Sequence, residues 1–253
     1  MAVVVAYKYA ANPQDASVGA DGLVDWSRTK ATVSEYDPVA IQVGRNVAAA
    51  AGVEVVGISV GTSVVSSSMA KKSAMAKGLD RGLIVVDESA PEWNVTKVAS
   101  ALAGLSRKVE DADLIITGDA SIDDGTQMTS ALIAGFLGWP CFQEVTDIVK
   151  TEAGYSITQM IDGGTRTVEI SGPVVIATTP DAVVQKSPSM KELLAAGKKP
   201  VEQVDVEDLE LVDARVSVVG HSRPESTARK NQVFTGVDAA GQLVAALRAD
   251  GVL

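Results

Sequence analysis

The sequence contains few of the residues that support thiol or metal chemistry. Its 253 residues include one cysteine, Cys141, and one histidine, His221. A single cysteine excludes a disulfide framework, an all-cysteine zinc site and a cysteine-ligated iron–sulfur cluster within this chain. Neither residue lies in a sequence context typical of a catalytic triad, which favours a buried cysteine and a surface histidine. Any redox centre therefore has to be a bound group.

Basic side chains and long apolar runs are also scarce. There are 22 Lys and Arg against 32 Asp and Glu, which gives a formal charge of −10. This balance argues against nucleic acid or an anionic membrane as the main partner, because both require a basic face. The N-terminus "MAVVVAYKYA" has no basic lead before its short apolar run, and no apolar span of membrane length follows. We therefore expect neither export nor direct membrane insertion, and a cytoplasmic location.

Aromatic residues make up only 4% of the chain, whereas hydrophobic residues reach 46%. A chain of this length can bury a full core. Low aromatic content with abundant Ala, Val and Gly is more typical of helices packed closely on a parallel sheet than of a sandwich. The composition thus favours the α/β class.

Strand-length apolar runs alternate with helical patterns along the first half of the chain. The apolar runs cover 3–7, 54–60, 83–87 and 113–117, and the helical patterns cover 38–51, 64–78 and 94–110. Short, continuous, β-branched runs are typical of strands buried on both faces. Later, alternating runs predict antiparallel strands at 142–149, 155–161 and 166–171, and an apolar run predicts a core strand at 173–178. The sequence predicts an α/β domain with a parallel sheet and a small antiparallel addition.

One loop, "GDASIDDGTQMTS" at 118–130, follows a predicted buried strand. Ligands of parallel α/β sheets bind at the carboxyl ends of the strands. Gly118 and Gly125 would allow close backbone approach, and a helix predicted over 126–137 would direct its free amides at an anion. These features favour a phosphate near Thr126–Thr129.

Three aspartates in this loop, Asp119, Asp123 and Asp124, leave other interpretations open. Asp123 or Asp124 could cap the following helix, which is the ordinary role of such a residue. A metal is a weaker alternative, since the spacing does not reproduce the ligand positions of an EF-hand. The loop is neither a Walker A motif nor a GxGxxG fingerprint. The residues alone indicate a nucleotide-holding α/β domain without an evident catalytic apparatus.

Six segments in sequence order resemble the β subunit of electron transfer flavoproteins, and most closely its FixA branch. They are "SEYDPVAI" (34–41), "GLDRGLIVV" (78–86), "GDASIDDGTQ" (118–127), "AGFLGWP" (134–140), "IDGGTRTVEI" (161–170) and "SPSMKELLAAGKKP" (187–200). The resemblance implies a three-layer fold of the adenine-nucleotide α-hydrolase-like type. It also implies an α subunit as partner, which carries the electron-transferring FAD. In this family the β subunit itself buries AMP, or a second FAD in electron-bifurcating members.

The resemblance also places the nucleotide-binding positions of the family on this chain. They are Ala6, Ser34, Glu35, Tyr36, Asp37, Val60, Gly118, Asp119, Ala120, Ser121, Ile122, Asp123, Asp124, Gly125, Thr126, Gln127, Met128 and Thr129. Three short patterns differ from the family. "QMTS" at 127–130 replaces Asn-Gln-Thr-Gly, Ser34 and Glu35 replace an Asn-Pro pair, and Gln159 replaces a basic residue. The sequence leaves open whether AMP or a second FAD is bound.

The resemblance divides the chain into a nucleotide-binding domain, 1–211, and a C-terminal arm and helix, 212–253, that docks the α subunit. A helix that closes its own domain is the alternative for the last segment. A recognition-loop region at about 184–200 would contact partners such as an acyl-CoA dehydrogenase-like flavoprotein, a quinone oxidoreductase or a ferredoxin-like protein. Two other functions stay open: a stand-alone nucleotide-binding regulator of this fold, and a hydrolase that uses the aspartates near Asp123 with a metal.

Overall fold

The computed structural model describes residues 1–214, 216, 219–220, 225 and 228–253. Within it, Met1–Val219 and Gly220–Leu253 form two compact units. His221, predicted as a surface residue, lies outside the described residues. The division of roles between 1–211 and 212–253 stays a prediction.

A sheet of nine strands forms the centre of the first unit, in the order β11-β10-β9-β12-β8-β1-β6-β7-β13. Seven neighbouring strands of this sheet pair in parallel, namely β9, β12, β8, β1, β6, β7 and β13. At the other edge, β10 pairs antiparallel with both β9 and β11. The strands of this sheet are β1 Ala2–Ala6, β6 Val55–Gly61, β7 Arg81–Val86, β8 Ala112–Gly118, β9 Cys141–Lys150, β10 Tyr155–Ile161, β11 Gly164–Ile170, β12 Val174–Thr178 and β13 Val201–Val204. The remaining strands, β2 Tyr9–Ala11, β3 Ser17–Val18, β4 Val24–Asp25 and β5 Ala31–Val33, form two small antiparallel pairs, β2 with β5 and β3 with β4.

Helices cover both faces of the sheet, so the unit has three layers. The helices are α1 Asp37–Ala51, α2 Ser68–Ala76, α3 Val95–Arg107, α4 Thr129–Leu137 and α5 Met190–Ala196. Buried residues of α1, α2 and α5 pack on the face that includes Val3 and Val5. Buried residues of α3 and α4 pack on the opposite face, which includes Val4 and Ala6. Since consecutive residues of β1 meet different helices, the strand has to be apolar throughout.

The predicted fold class is confirmed. The apolar runs become buried parallel strands, and the alternating runs become the antiparallel strands β10 and β11 beside β9. Two features were not predicted from the sequence. The segment 9–33 forms small antiparallel pairs, and Val201–Val204 pairs in parallel with β7 at the sheet edge. The pairs β2 with β5 and β7 with β13 join residues far apart in sequence, which local periodicity does not reveal.

The second unit contains one helix among its described residues, α6 Ala239–Ala249, in which no residue is buried. Lys230 Nζ pairs with Asp250 Oδ1 at 2.5 Å, next to the end of this helix. In the part of the chain that the structure describes, no helix combines the length and the apolar character needed to cross a membrane.

Two hairpin glycines give a direct test of the antiparallel edge. Gly154, between β9 and β10, has φ +159, and a Cβ there would overlap the Ile170 carbonyl oxygen. Gly163, between β10 and β11, has φ +82 with no atom within 4 Å of an added Cβ. We expect Gly154→Ala to lower the free energy of unfolding by about 3 kcal/mol, since overlap adds to backbone strain. Gly163→Ala should lower it by only about 1 to 2 kcal/mol, from the positive φ alone. Equal losses in urea denaturation would contradict the register of β11.

Candidate functional site

The carboxyl ends of β1 and β8 lie side by side in the sheet. The chain leaves β1 for α1 on one face, and it leaves β8 for α4 on the other. A crevice forms at such a point, where the connections of neighbouring parallel strands diverge, and it is where doubly wound sheets bind ligands. Among the predicted residues, Ala6 ends β1, Gly118 ends β8, and Val60 lies near the end of β6, the other neighbour of β1.

Gly118 is in close contact with the start of α1. A Cβ on Gly118 would lie 2.8 Å from Tyr36 Cβ and 3.0 Å from Asp37 Oδ1. The turn that leads into the helix contributes Ser34, whose carbonyl accepts a hydrogen bond from the Asp37 amide at 3.1 Å. The structure thus brings two of the predicted segments, 34–37 and the loop 118–129, together at the crevice.

Lys8, two residues beyond β1, connects these segments by charge. Its Nζ lies 2.6 Å from Asp123 Oδ2 and 2.8 Å from Asp124 Oδ2. Its amide donates to Asp37 Oδ2 at 2.6 Å. Burial alone would raise the pKa of Asp123, but the bond and charge of Lys8 hold that pKa below its usual value. Lys8 therefore neutralises part of the acidic loop.

Asp37 is the buried charge of the crevice. Burial raises its pKa from 3.8 to about 7, against the opposing effects of the Lys8 amide and of the Lys8 and Lys77 charges. The nearby Asp123 carboxylate raises it further. Asp37 also raises the pKa of Tyr7, for which burial is the larger cause. Asp37 can therefore change its protonation near neutral pH, unlike an exposed carboxylate.

The loop 118–129 reaches the helix later than the sequence predicted. The helix α4 begins at Thr129 instead of residue 126, and Met128 at its N-cap makes no side-chain capping bond. Asp123 and Asp124 therefore do not cap α4. Both are paired with Lys8 instead. The amides closest to an anion at the helix start belong to Thr129 and its successors.

Inside the loop, Gln127 has a left-handed backbone, with φ +53. Its Nε2 donates to Asp119 Oδ2 at 3.1 Å. Burial raises the pKa of Asp119, an effect that this bond opposes. The Gly125 amide donates to the Ser121 carbonyl at 2.9 Å. Ala120 is half-buried, Thr126 is exposed, and Ile122 and Met128 expose apolar side chains.

Ser34 has a buried hydroxyl without a hydrogen-bond partner among the described residues. A cavity of about 10 Å³ lies beside it, lined in part by Lys8, Glu35, Ile122 and Asp123. This is space for about one water molecule. Because an unpaired buried hydroxyl is unfavourable, Ser34 is suited to bond a polar group placed in this cavity.

Metal binding and thiol chemistry are the other two candidate chemistries. No group of three or more His, Cys, Asp or Glu side chains among the described residues is arranged to hold a metal ion. Cys141 is a free, half-buried thiol at the start of β9, and burial raises its pKa. A raised pKa leaves less of the reactive thiolate at neutral pH.

Two residues of the site were missed by sequence reasoning. Lys8 had a usable signal, since it is a charged residue directly after a buried strand, at the edge where ligands bind. Gln143 on β9 had none. Its Nε2 donates to the Gln127 carbonyl at 2.8 Å, across a sequence separation of sixteen residues.

The family model described as the electron transfer flavoprotein domain matches residues 22–209. The matched region includes the segment 34–37, the loop 118–129, and the strands β6, β8 and β12 that form the middle of the sheet with β1. It also includes the predicted recognition-loop region. The match leaves out β1 with Lys8 at one end of the chain and α6 at the other.

The close approach at Gly118 predicts a position-specific loss of stability. We expect Gly118→Ala to lower the free energy of unfolding by about 1 to 3 kcal/mol, because the new methyl has to displace the start of α1. The control is Gly135→Ala in the exposed part of α4, where no atom lies within 4 Å of an added Cβ. That change should raise stability by up to about 1 kcal/mol, because alanine favours the helix. Urea denaturation measures both free energies of unfolding. A Gly118→Ala protein with the same free energy of unfolding as the wild type would contradict the contact.

Asp37 predicts a pH dependence that Asp37→Asn should remove. A carboxyl whose pKa is about 7 when folded and 3.8 when unfolded binds a proton on folding. The contribution of protonated Asp37 to the free energy of unfolding is therefore complete below about pH 4, and it is lost as the pH rises to about 7. Asparagine can still accept the Lys8 amide bond but cannot ionise. We expect the stability of the wild type relative to Asp37→Asn to fall by up to about 4 kcal/mol between pH 4 and 7.5. Denaturation curves at several pH values measure this, and a constant difference would contradict a buried, titrating Asp37.

Proposed function

The chain belongs to the electron transfer flavoprotein family, and from that premise we propose that it is the β subunit of a heterodimer in the FixA branch. Its α partner would carry the FAD that transfers electrons. The β subunit would help to hold that FAD and would carry a nucleotide of its own, either AMP or a second FAD. The proposal is supported by the crevice between β1 and β8, where the close contact of Gly118 with the start of α1 brings the segment 34–37 against the loop 118–129.

The residues at the crevice fit an adenine nucleotide. Ser34 offers a buried hydroxyl without a partner among the described residues, beside a small cavity that Lys8 and Asp123 help to line. The first amides of α4, from Thr129 onward, would face a phosphate. A flavin, when bound, supplies the electron transfer. The residues of this chain bind it, orient it and limit its contact with water.

Entry of a nucleotide requires the loop 118–129 to move, because the space beside Ser34 holds only about one water molecule. The ion pair of Lys8 with Asp124 opposes this movement only weakly, whereas the pair with Asp123, whose side chain is 20% exposed, opposes it more strongly. Lys8 and Asp124 are partly exposed, and exposed pairs contribute roughly 0 to 1 kcal/mol. Once freed from the aspartates, Lys8 would be a cation at the mouth of the crevice. It could then offset the charge of the ligand.

The helix α5 supports the proposed contact with redox partners. Met190 and Leu194 are 74% and 72% exposed, on a short helix that begins with a capping box formed by Ser189 and Glu192. Exposed apolar side chains on a firmly capped helix are suited to insert into a partner pocket. The partners would be an acyl-CoA dehydrogenase-like flavoprotein or a reductase, and possible further carriers are a quinone oxidoreductase and a ferredoxin-like protein.

The helix α6 supports the proposed contact with the α subunit. Leu243 and Val244 are 47% and 39% exposed, and no residue of the helix is buried. The segment 212–253 is therefore assigned to docking of the α subunit in this proposal.

The test is co-expression with a candidate α subunit, followed by denaturation of the purified complex. We expect a yellow one-to-one heterodimer that releases one FAD together with one AMP, or two FAD, as identified by mass spectrometry. Two FAD would indicate the bifurcating type. A colourless, self-associating chain that binds adenine nucleotide would contradict the proposal and support a stand-alone regulator.

A pair of matched variants separates assembly from folding in this test. Leu243→Asp places a charge on the apolar side of α6 and should abolish co-purification with the α subunit. Met69→Asp places the same charge on an exposed helical position of α2 and should leave it intact. If both variants assemble equally well, α6 does not dock the α subunit.

A further inference from the structure

A line of polar side chains runs from the edge of the sheet to the loop 118–129. Arg166 Nε on β11 donates to Gln159 Oε1 on β10 at 3.0 Å. Gln159 Nε2 donates to the main-chain carbonyl of Gln143 on β9 at 2.6 Å. Gln143 Nε2 in turn donates to the Gln127 carbonyl at 2.8 Å and lies 3.2 Å from Ser130 Oγ. Four elements of the fold are joined by these bonds.

The direction of each bond in this line is fixed by chemistry. Arginine only donates, so Gln159 has to present its oxygen to Arg166 and its NH₂ to the Gln143 carbonyl. A main-chain carbonyl only accepts, so Gln143 has to direct its NH₂ at Gln127. Gln159 is buried, where an amide with a reversed orientation would lose both partners. The side-chain amide of Gln159 therefore has one stable orientation, which the Arg166 guanidinium fixes.

The far end of the line is a strained residue. Gln127 is one of four non-glycine residues with positive φ among those described. A side chain with a Cβ is unfavourable in this conformation, which persists only where the surroundings hold it. Gln127 is held at two points, by Gln143 at its carbonyl and by Asp119 at its side chain. The next residue but one, Thr129, begins α4.

A bulge in β9 accompanies this contact. The pairing of β9 with β12 shifts by one residue between Ile176 and Thr178, opposite Gln143 and Glu144, and Glu144 has φ +52. Bulges change the direction in which neighbouring side chains point and occur often beside functional sites. Gln143 immediately precedes the irregular residue. Its contact with Gln127 thus coincides with an interruption of the ladder.

We propose that Gln143, whose main chain is held by the bond from Gln159 and through it linked to Arg166, is a positioning residue that holds Gln127 in its left-handed conformation and so sets the first amides of α4 for nucleotide binding. The proposal rests on the proposed function, because it assigns a supporting residue to the same site. Gln143 acts through Gln127 and Ser130. The edge strands β10 and β11 thereby contribute to a site that their own residues do not line.

The test combines Gln143→Leu with a rescue at Gln127. Leucine keeps the size of the side chain but cannot donate, so Gln127 should lose its restraint. In the co-expressed heterodimer we expect AMP to bind roughly five- to tenfold more weakly, the effect of one lost hydrogen bond. Hydrogen exchange of the amides in 119–130 should become faster. Gln127→Gly in the Gln143→Leu background should restore most of the affinity, because glycine adopts positive φ without restraint.

Two further variants separate positioning from general support of the sheet. Gln203→Leu on β13 is a control of the same chemistry at an exposed strand position and should leave AMP binding unchanged. Arg166→Met removes the outer end of the line and should weaken AMP binding in the same direction by a smaller factor. It also replaces Gln143→Leu as the test if that variant does not fold.

The outcomes distinguish the two proposals. Unchanged AMP binding in Gln143→Leu, or failure of Gln127→Gly to restore it, would overturn the positioning role. A wild-type heterodimer that binds neither AMP nor FAD in this chain would instead overturn the proposed function. In that case the hydrogen exchange of 119–130 still tests the positioning role, since it requires no nucleotide.

Discussion

The structure depends on the close approach between Gly118 at the end of β8 and the first residues of α1. Any side chain at Gly118 would separate the two segments. Their contact brings Asp37 into the interior, next to the Lys8 amide, and raises its pKa to about 7. It also fixes where the loop 118–129 leaves the sheet. The geometry of the crevice thus follows from one position at which a methyl group does not fit.

The loop 118–129 is held from two sides by different kinds of interaction. Lys8 binds its aspartates through two ion pairs, a more buried one with Asp123 and an exposed, weak one with Asp124. Gln143 binds its helical end through a directional bond to Gln127. The exposed pair can yield when a ligand enters, while the bond to Gln127 keeps the start of α4 in place. This combination is consistent with the nucleotide binding that we propose for the crevice.

Local sequence predicted what depends on local periodicity. The runs around Val3–Val5 and Leu114–Ile116 gave the buried strands, and their alternate residues do face different helix layers. The start of α4 was predicted three residues early, because Asp123 and Asp124 resemble caps but pair with Lys8 instead. The pairing of β13 and the contact of Gln143 could not be predicted, since both join segments far apart in sequence. Periodicity carries no information about such pairs.

We propose that the crevice between β1 and β8 holds an adenine nucleotide. The most direct measurement is photolabelling of the heterodimer with 8-azidoadenosine monophosphate, followed by mass spectrometry of the labelled peptides. The account predicts labels within 34–37 and 118–129 that unlabelled AMP or FAD prevents. Labels confined to other parts of the chain, or labels that competitor nucleotide does not reduce, would contradict it.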